Sequence, residues 1–90
     1  MKKTIFAALC ILAMAACTPK PIKTVLITGQ NNHNWPVSHP ALQQIMQESG
    51  MFTVDLAISP APGEDFSNFN VDFSKYDLVV LDYNGDPWND

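Results

Sequence analysis

The residues best equipped for chemistry lie in two short polar runs. The first is Gln30-Asn31-Asn32-His33-Asn34-Trp35 and the second is Asn84-Gly85-Asp86-Pro87-Trp88. Amide side chains carry both a donor and an acceptor, the pairing that vicinal sugar hydroxyls require. Gln30, Asn31, Asn32 and Asn34 are therefore candidate ligand contacts, joined by His33 and, from the second run, by Asn84 and the acceptor-only carboxylate of Asp86, and Trp35 offers an apolar face on which a pyranose ring can rest. The same asparagines can instead satisfy the backbone of their own turn, while Trp35 packs on the element that follows. His33 is the candidate acid–base group, because an unperturbed imidazole titrates near neutral pH. Its alternative role is a hydrogen-bond anchor, and His39, just ahead of Pro40, reads as structural.

Other chemistries find less support. Asp82 and Asp86 could join the two histidines around a cation, but the spacing is no recognised ligand motif and too few ligands can be assigned. No metal ligand is therefore assigned, and the sequence leaves the cofactor unknown. Asn84-Gly85 is a turn signal, and Asp86 before Pro87 suits loop geometry. Gly29 stands alone in its loop, so there is no glycine-rich phosphate cradle.

The elements that must position these runs are legible in the apolar pattern. Val25, Leu26 and Ile27 form a continuous run, as in a strand covered on both faces of a parallel sheet. Ser38 is placed to cap a helix, with Pro40 in its first turn and Val37 and Leu42 as a hydrophobic staple. Leu42, Ile45, Met46 and Ser49 then make the inward stripe, with Gln43, Gln44, Gln47 and Glu48 largely outside it. Gly50 closes the helix as a left-handed cap. Phe52 to Ile58 alternates and reads as a half-exposed edge strand. Ser59 to Lys75, with Pro60, Pro62 and Gly63, reads as a long crossover loop with one short turn near Asp65 to Phe69. Phe66, Phe69 and Phe73 are expected to pin that loop to the sheet. Tyr76 to Asp82 is the third strand, as continuously apolar as the first. Strand two at the edge, strand one inside it and strand three beyond gives a flavodoxin-like order, which puts both polar runs at the carboxyl edge where such sheets bind ligands. Gln30 to His33 and Asn84 to Asp86 should then face one shared cleft.

The 90-residue chain is long enough for one domain. Lys2 and Lys3 precede an apolar stretch, Ile5 to Ala16, too short to span a bilayer and laid out as a secretory signal. Met14-Ala15-Ala16-Cys17 resembles a bacterial lipoprotein signal, in which the cysteine is lipidated and becomes the new amino terminus. Residues 1–16 are thus expected to be a signal peptide and 17–22 a lipidated cysteine with a proline-stiffened tether. Residues 23–90 are the domain. Stable attachment needs more than one acyl chain. The expected location is the bacterial cell envelope, with the membrane as a partner through the lipid alone. With Cys10 removed and Cys17 consumed, no thiol is left for catalysis or for a disulfide within the chain. Three lysines then face nine carboxylates, a net of −6, which argues against nucleic acid as a partner.

The same residues resemble a known family. Val25 to Trp35, the helix end Glu48-Ser49-Gly50, Phe52-Thr53-Val54-Asp55, Tyr76 to Val80 and Asn84-Gly85-Asp86 together resemble the opening of ThuA-like (trehalose-utilisation) domains. The resemblance covers 68 residues, from Lys23 to Asp90. It implies an α/β class I glutamine amidotransferase-like fold, a flavodoxin-like parallel sheet with helices on both sides. Only the first three strands and one clear helix are expected here, because complete domains of this family are much longer. Residues 23–90 therefore read as the amino-terminal part of such a domain, and a chain this short buries only about 60% of its unfolded surface. The resemblance does not bring amidotransferase chemistry, whose nucleophilic cysteine is missing. It implies a role in carbohydrate metabolism with a sugar or sugar derivative as ligand. It leaves open whether the protein is an enzyme, a non-catalytic or truncated binding module, or a metal-dependent hydrolase.

Overall fold

The computed structural model describes residues 19–88. The expected signal peptide and Cys17 lie outside the described residues. Three parallel strands form one sheet in the order β2-β1-β3. Strand β1, Ile22–Thr28, lies between β2, Phe52–Ile58, and β3, Leu78–Leu81, with Leu26 opposite Leu56 on one side and Val80 on the other. This is the α/β, flavodoxin-like order expected from the sequence. Val25, Leu26 and Ile27 are fully buried, each worth about 1.5–3 kcal/mol relative to an exposed position. They are the centre of the core.

The helix corrects the sequence reading at its start and on its inward face. Helix α1 spans Trp35–Glu48, so Ser38 lies inside its first turn and is not its cap. Asn34 holds the cap position, and its carbonyl accepts the N–H groups of Val37 and Ser38, each at 3.0 Å. Pro36, not Pro40, occupies the first turn, where a missing N–H costs nothing. Pro40 sits in the helix interior and removes the N–H that would reach the Pro36 carbonyl. Val37 is 64% exposed and forms no staple with Leu42, which is itself at the surface.

Ile45, expected inside, is 67% exposed. The half-buried positions are Trp35, Ser38, His39, Gln43 and Met46, a stripe turned away from the predicted one. The open edge of β2 explains the turn. Its Val54 carbonyl accepts the side-chain amides of Gln43 at 3.1 Å and Gln47 at 3.4 Å, so two glutamines expected outside satisfy an edge acceptor that would otherwise rely on water. Gly50 closes the helix as predicted, with φ of +75° and its N–H on the Gln47 carbonyl.

Strand β2 has the predicted bounds and the predicted edge position. Its alternating set is only partly covered: Val54 is buried, whereas Leu56 and Ile58 are exposed. The long connection is a loop, with the expected turn closed by the Phe69 N–H on the Phe66 carbonyl at 2.9 Å. It also holds one unpredicted 3-10 turn, Phe73–Lys75, capped by Asp72 through the Ser74 N–H. Phe66 is buried, while Phe73 is 47% exposed and stacks against Trp88. Strand β3 is shorter than predicted, although Asp77 and Asp82 extend its ladder by donating N–H groups to the Lys23 and Ile27 carbonyls. Among the described residues it is an outer strand, and Leu81 is 63% exposed.

Candidate functional site at the carboxyl edge

The loops that leave β1, β2 and β3 meet at the carboxyl edge of the sheet. Gly29 makes the first crossing possible. At φ of +125° it passes so close to Ser59 that a β-carbon would fall 2.4 Å from the Ser59 hydroxyl oxygen. The second crossing is Gly85 over Gln30, where a β-carbon would lie 2.2 Å from the Gln30 carboxamide oxygen.

Gln30 is the clasp of this assembly and is only 4% exposed. Its Nε2 donates to the Pro60 carbonyl at 3.0 Å, its Oε1 accepts the Asp86 N–H at 2.9 Å, and its backbone carbonyl accepts the Asn84 N–H at 2.8 Å. One side chain therefore ties the first loop to both of the others.

Asp82 is a second hub. Its Oδ1 accepts the Asn31 side-chain amide at 2.8 Å, and its Oδ2 accepts the Ser38 hydroxyl at 2.9 Å and the Thr28 hydroxyl at 3.3 Å. Strand β1, helix α1 and the end of β3 thus converge on one carboxylate. Sequence reasoning considered Asp82 only as a metal ligand. The stronger signal was its place as the first charged residue after an apolar strand, at the edge where this sheet class gathers polar groups. The Asn31 Oδ1 accepts the His33 N–H at 3.1 Å, which bends the loop into an Asx turn.

Around these hubs the remaining candidates divide. Asn32, His33, Asn34 and Asn84 are exposed. His33 enters the described hydrogen bonds only through its backbone, whose carbonyl accepts the Trp35 N–H at 2.9 Å. Trp35 is half-buried, its ring stacked on that of His39 at 5.7 Å and 26°. Asp86 is half-buried and braces the loop after β2 by accepting the Gly63 N–H at 2.8 Å. Its backbone carbonyl accepts the Tyr83 hydroxyl. Trp88 completes this side, with Tyr83, Phe69 and Phe73 at 5.5, 5.7 and 6.4 Å.

The structure therefore joins the two runs through Gln30, which bonds Asn84 and Asp86 and lies under Gly85, while Asn31 reaches Asp82, so the Gln30 side chain fills space where a shared cleft was expected. The adjoining open groove of about 670 Å³ lies beside the end of β2, lined by Ile58, Ser59, Pro60, Glu64, Asp65, Asn68 and Phe69. In it Asp65 accepts the Ser67 hydroxyl and N–H, which hold its carboxyl below the usual carboxylate range. Among the described residues, no three histidine, cysteine or acidic side chains gather where they could hold a metal ion.

A parallel β2-β1-β3 sheet with its polar loops joined at the carboxyl edge defines an α/β protein of flavodoxin-like architecture. Comparison with solved structures narrows this class. The chain is 68% identical to a ThuA-like protein from Parabacteroides merdae, known from a crystal structure, and superposes on it with a TM-score of 0.75. The match covers 77% of this chain and 25% of that one, so the chain spans about a quarter of the length of the ThuA-like protein. Over the matched residues the chain is similar in sequence and fold to part of that ThuA-like protein. No family model and no curated protein matches it.

Proposed function

We propose that the chain is a lipid-anchored ThuA-like domain of carbohydrate metabolism, related to trehalose utilisation, that holds a sugar or sugar derivative at the loops following β1 and β3. The similarity to the ThuA-like protein supports the family part of this reading. The observation that carries the site is the division of labour at the carboxyl edge. Gln30, Asn31 and Asp82 are engaged in holding the loops, which leaves Asn32, His33, Asn34 and Asn84 displayed to solvent. A braced loop presenting free amides loses little freedom when it binds a polyhydroxylated ligand.

A non-catalytic binding role is favoured by one detail. A general base needs a partner that orients its ring, and the His33 imidazole has no hydrogen-bonding partner among the described residues. The test is a thermal-shift and calorimetric screen of the full-length protein with mono- and disaccharides and their oxidised forms. His33→Ala should weaken binding of a hit about tenfold, or 1.4 kcal/mol, with Tm unchanged. A fall in Tm with affinity intact would make His33 structural. Binding without turnover would identify a binding module.

A further inference from the structure

We infer that the amino end of the sheet is the face this chain lays against an anionic lipid bilayer, with the carboxyl-edge loops directed away from it. The inference rests on the reading of Cys17 as the lipidated residue. Cys17 is five residues from Ile22, so a fully extended tether reaches at most about 18 Å. Ile22 begins β1, and all three strands run parallel. The end of the domain held near the anchor is thus the amino end of every strand. The site stands farther off by the length of β1, about 23 Å.

Charge is distributed to match. Lys20, Lys23 and Lys75 are the only lysines after Cys17, and there is no arginine. All three lie at the amino end: Lys20 just ahead of β1, Lys23 within its first turn of pleat, and Lys75 ending the 3-10 turn before β3. They share that end with Glu48, Asp72 and Asp77, each hydrogen-bonded locally, and Asp55, which accepts the Tyr76 hydroxyl, lines one groove with Lys23 and Lys75. Asp77 accepts the Lys23 N–H at 3.0 Å, Asp72 accepts the Ser74 N–H at 3.1 Å, and Glu48 accepts the Gln44 amide at 2.9 Å. The carboxyl edge carries Glu64, Asp65, Asp82 and Asp86 with no lysine. An anionic surface repels the second end, which has carboxylates and no lysine, more strongly than the first, where three lysines offset most of the carboxylate charge, and this orients the domain within the reach of its tether.

The amino end also presents apolar surface. Met51 follows the left-handed Gly50 and is 59% exposed, and its carbonyl accepts the Ile22 N–H at 2.8 Å. Pro19, Lys20, Ile22, Gly50 and Met51 line one shallow hollow. An exposed methionine beside the Lys20 stem suits the headgroup boundary, where the apolar part sinks and the ammonium group reaches lipid phosphates. Among the described residues no helix is long and apolar enough to cross a membrane, so this contact is peripheral.

Hydrogen exchange on the full-length protein, bound to vesicles containing phosphatidylglycerol and compared with Cys17→Ser in free solution, tests the inference. Intact mass comes first: an acylated chain is used as purified, and an unacylated chain is coupled through Cys17 to a maleimide lipid. Failure of the anchoring reading therefore appears in the mass, and failure of the docking face appears only in the exchange. On vesicles the amides of Lys20, Lys23 and Met51 should exchange about fivefold more slowly, while those of Asn32, His33 and Asn84 stay unchanged. Lys20→Glu with Met51→Glu should abolish the slowing while the protein remains bound. Equal rates at both ends, slowing at the carboxyl-edge loops, or slowing already present in free solution would overturn the inference.

Discussion

Strands β1 and β3 carry nearly the same kind of sequence, Val25-Leu26-Ile27 in one and Leu78-Val79-Val80-Leu81 in the other, yet their surroundings differ sharply. Leu26 is completely buried, whereas Leu78, Val79 and Leu81 are exposed. A continuous apolar run states that both faces of a strand favour cover. Whether cover is present depends on what packs there, and among the described residues β1 has a strand on each side while β3 has one. Each strand ends in a polar loop, and there the asymmetry disappears: the two loops are bound to each other through Gln30, Asn31 and Asp82.

The largest test of this contrast is a pair of truncations measured by chemical denaturation of the full-length protein. Leu26→Ala should cost about 2–5 kcal/mol, because its cavity lies in the centre of the sheet. Leu81→Ala should cost less than about 0.5 kcal/mol if the exposed surface of β3 remains uncovered in the protein as tested. A cost for Leu81 approaching that for Leu26 would show that another element covers this surface, and would break the contrast.

A smaller effect is expected where the strands' loops are joined. Gln30→Ala leaves the Asp86 N–H and the Pro60 carbonyl without the partner that now satisfies them. The expected loss is about 1–3 kcal/mol. Asn32→Ala, one turn away and exposed, should leave stability within about 0.5 kcal/mol. Equal losses would remove Gln30 from its place as the clasp.

The smallest effect concerns Tyr76, which leads into β3 and donates its hydroxyl to Asp55 on β2 at 2.9 Å. That hydrogen bond to the carboxylate raises the Tyr76 pKa above its ordinary value. A raised folded pKa favours the protonated form, so the contribution is fully present below the unfolded value of about 10 and is lost as pH rises through the folded value. Denaturation from pH 8 into strong alkali should show the wild type losing a small increment that Tyr76→Phe never had. Parallel curves would mean that the contact is solvated away.

The sequence by itself determined the strands, their parallel order and the carboxyl edge as the meeting place of the polar residues. Those features follow from local pattern: unbroken β-branched and apolar runs, a left-handed glycine after the helix, and polar loops after each strand. Tertiary structure decided the rest. The helix register was misread because Ser38 looks like a cap in isolation, whereas Pro36 and the Asn34 carbonyl start the helix earlier and free the Ser38 hydroxyl for Asp82. The inward face was misread because hydrophobicity rates Ile45 above Gln43, but the Gln43 amide can donate to the open carbonyl of Val54 and the Ile45 side chain cannot. The same holds at the site. Gln30 and Asn32 are indistinguishable as amides in a polar run, and it is the approach of Gly85 and Pro60, from loops distant in sequence, that buries one and leaves the other in solvent. Composition states which hydrogen bonds a side chain can make, and only the folded neighbours determine which of them are already taken.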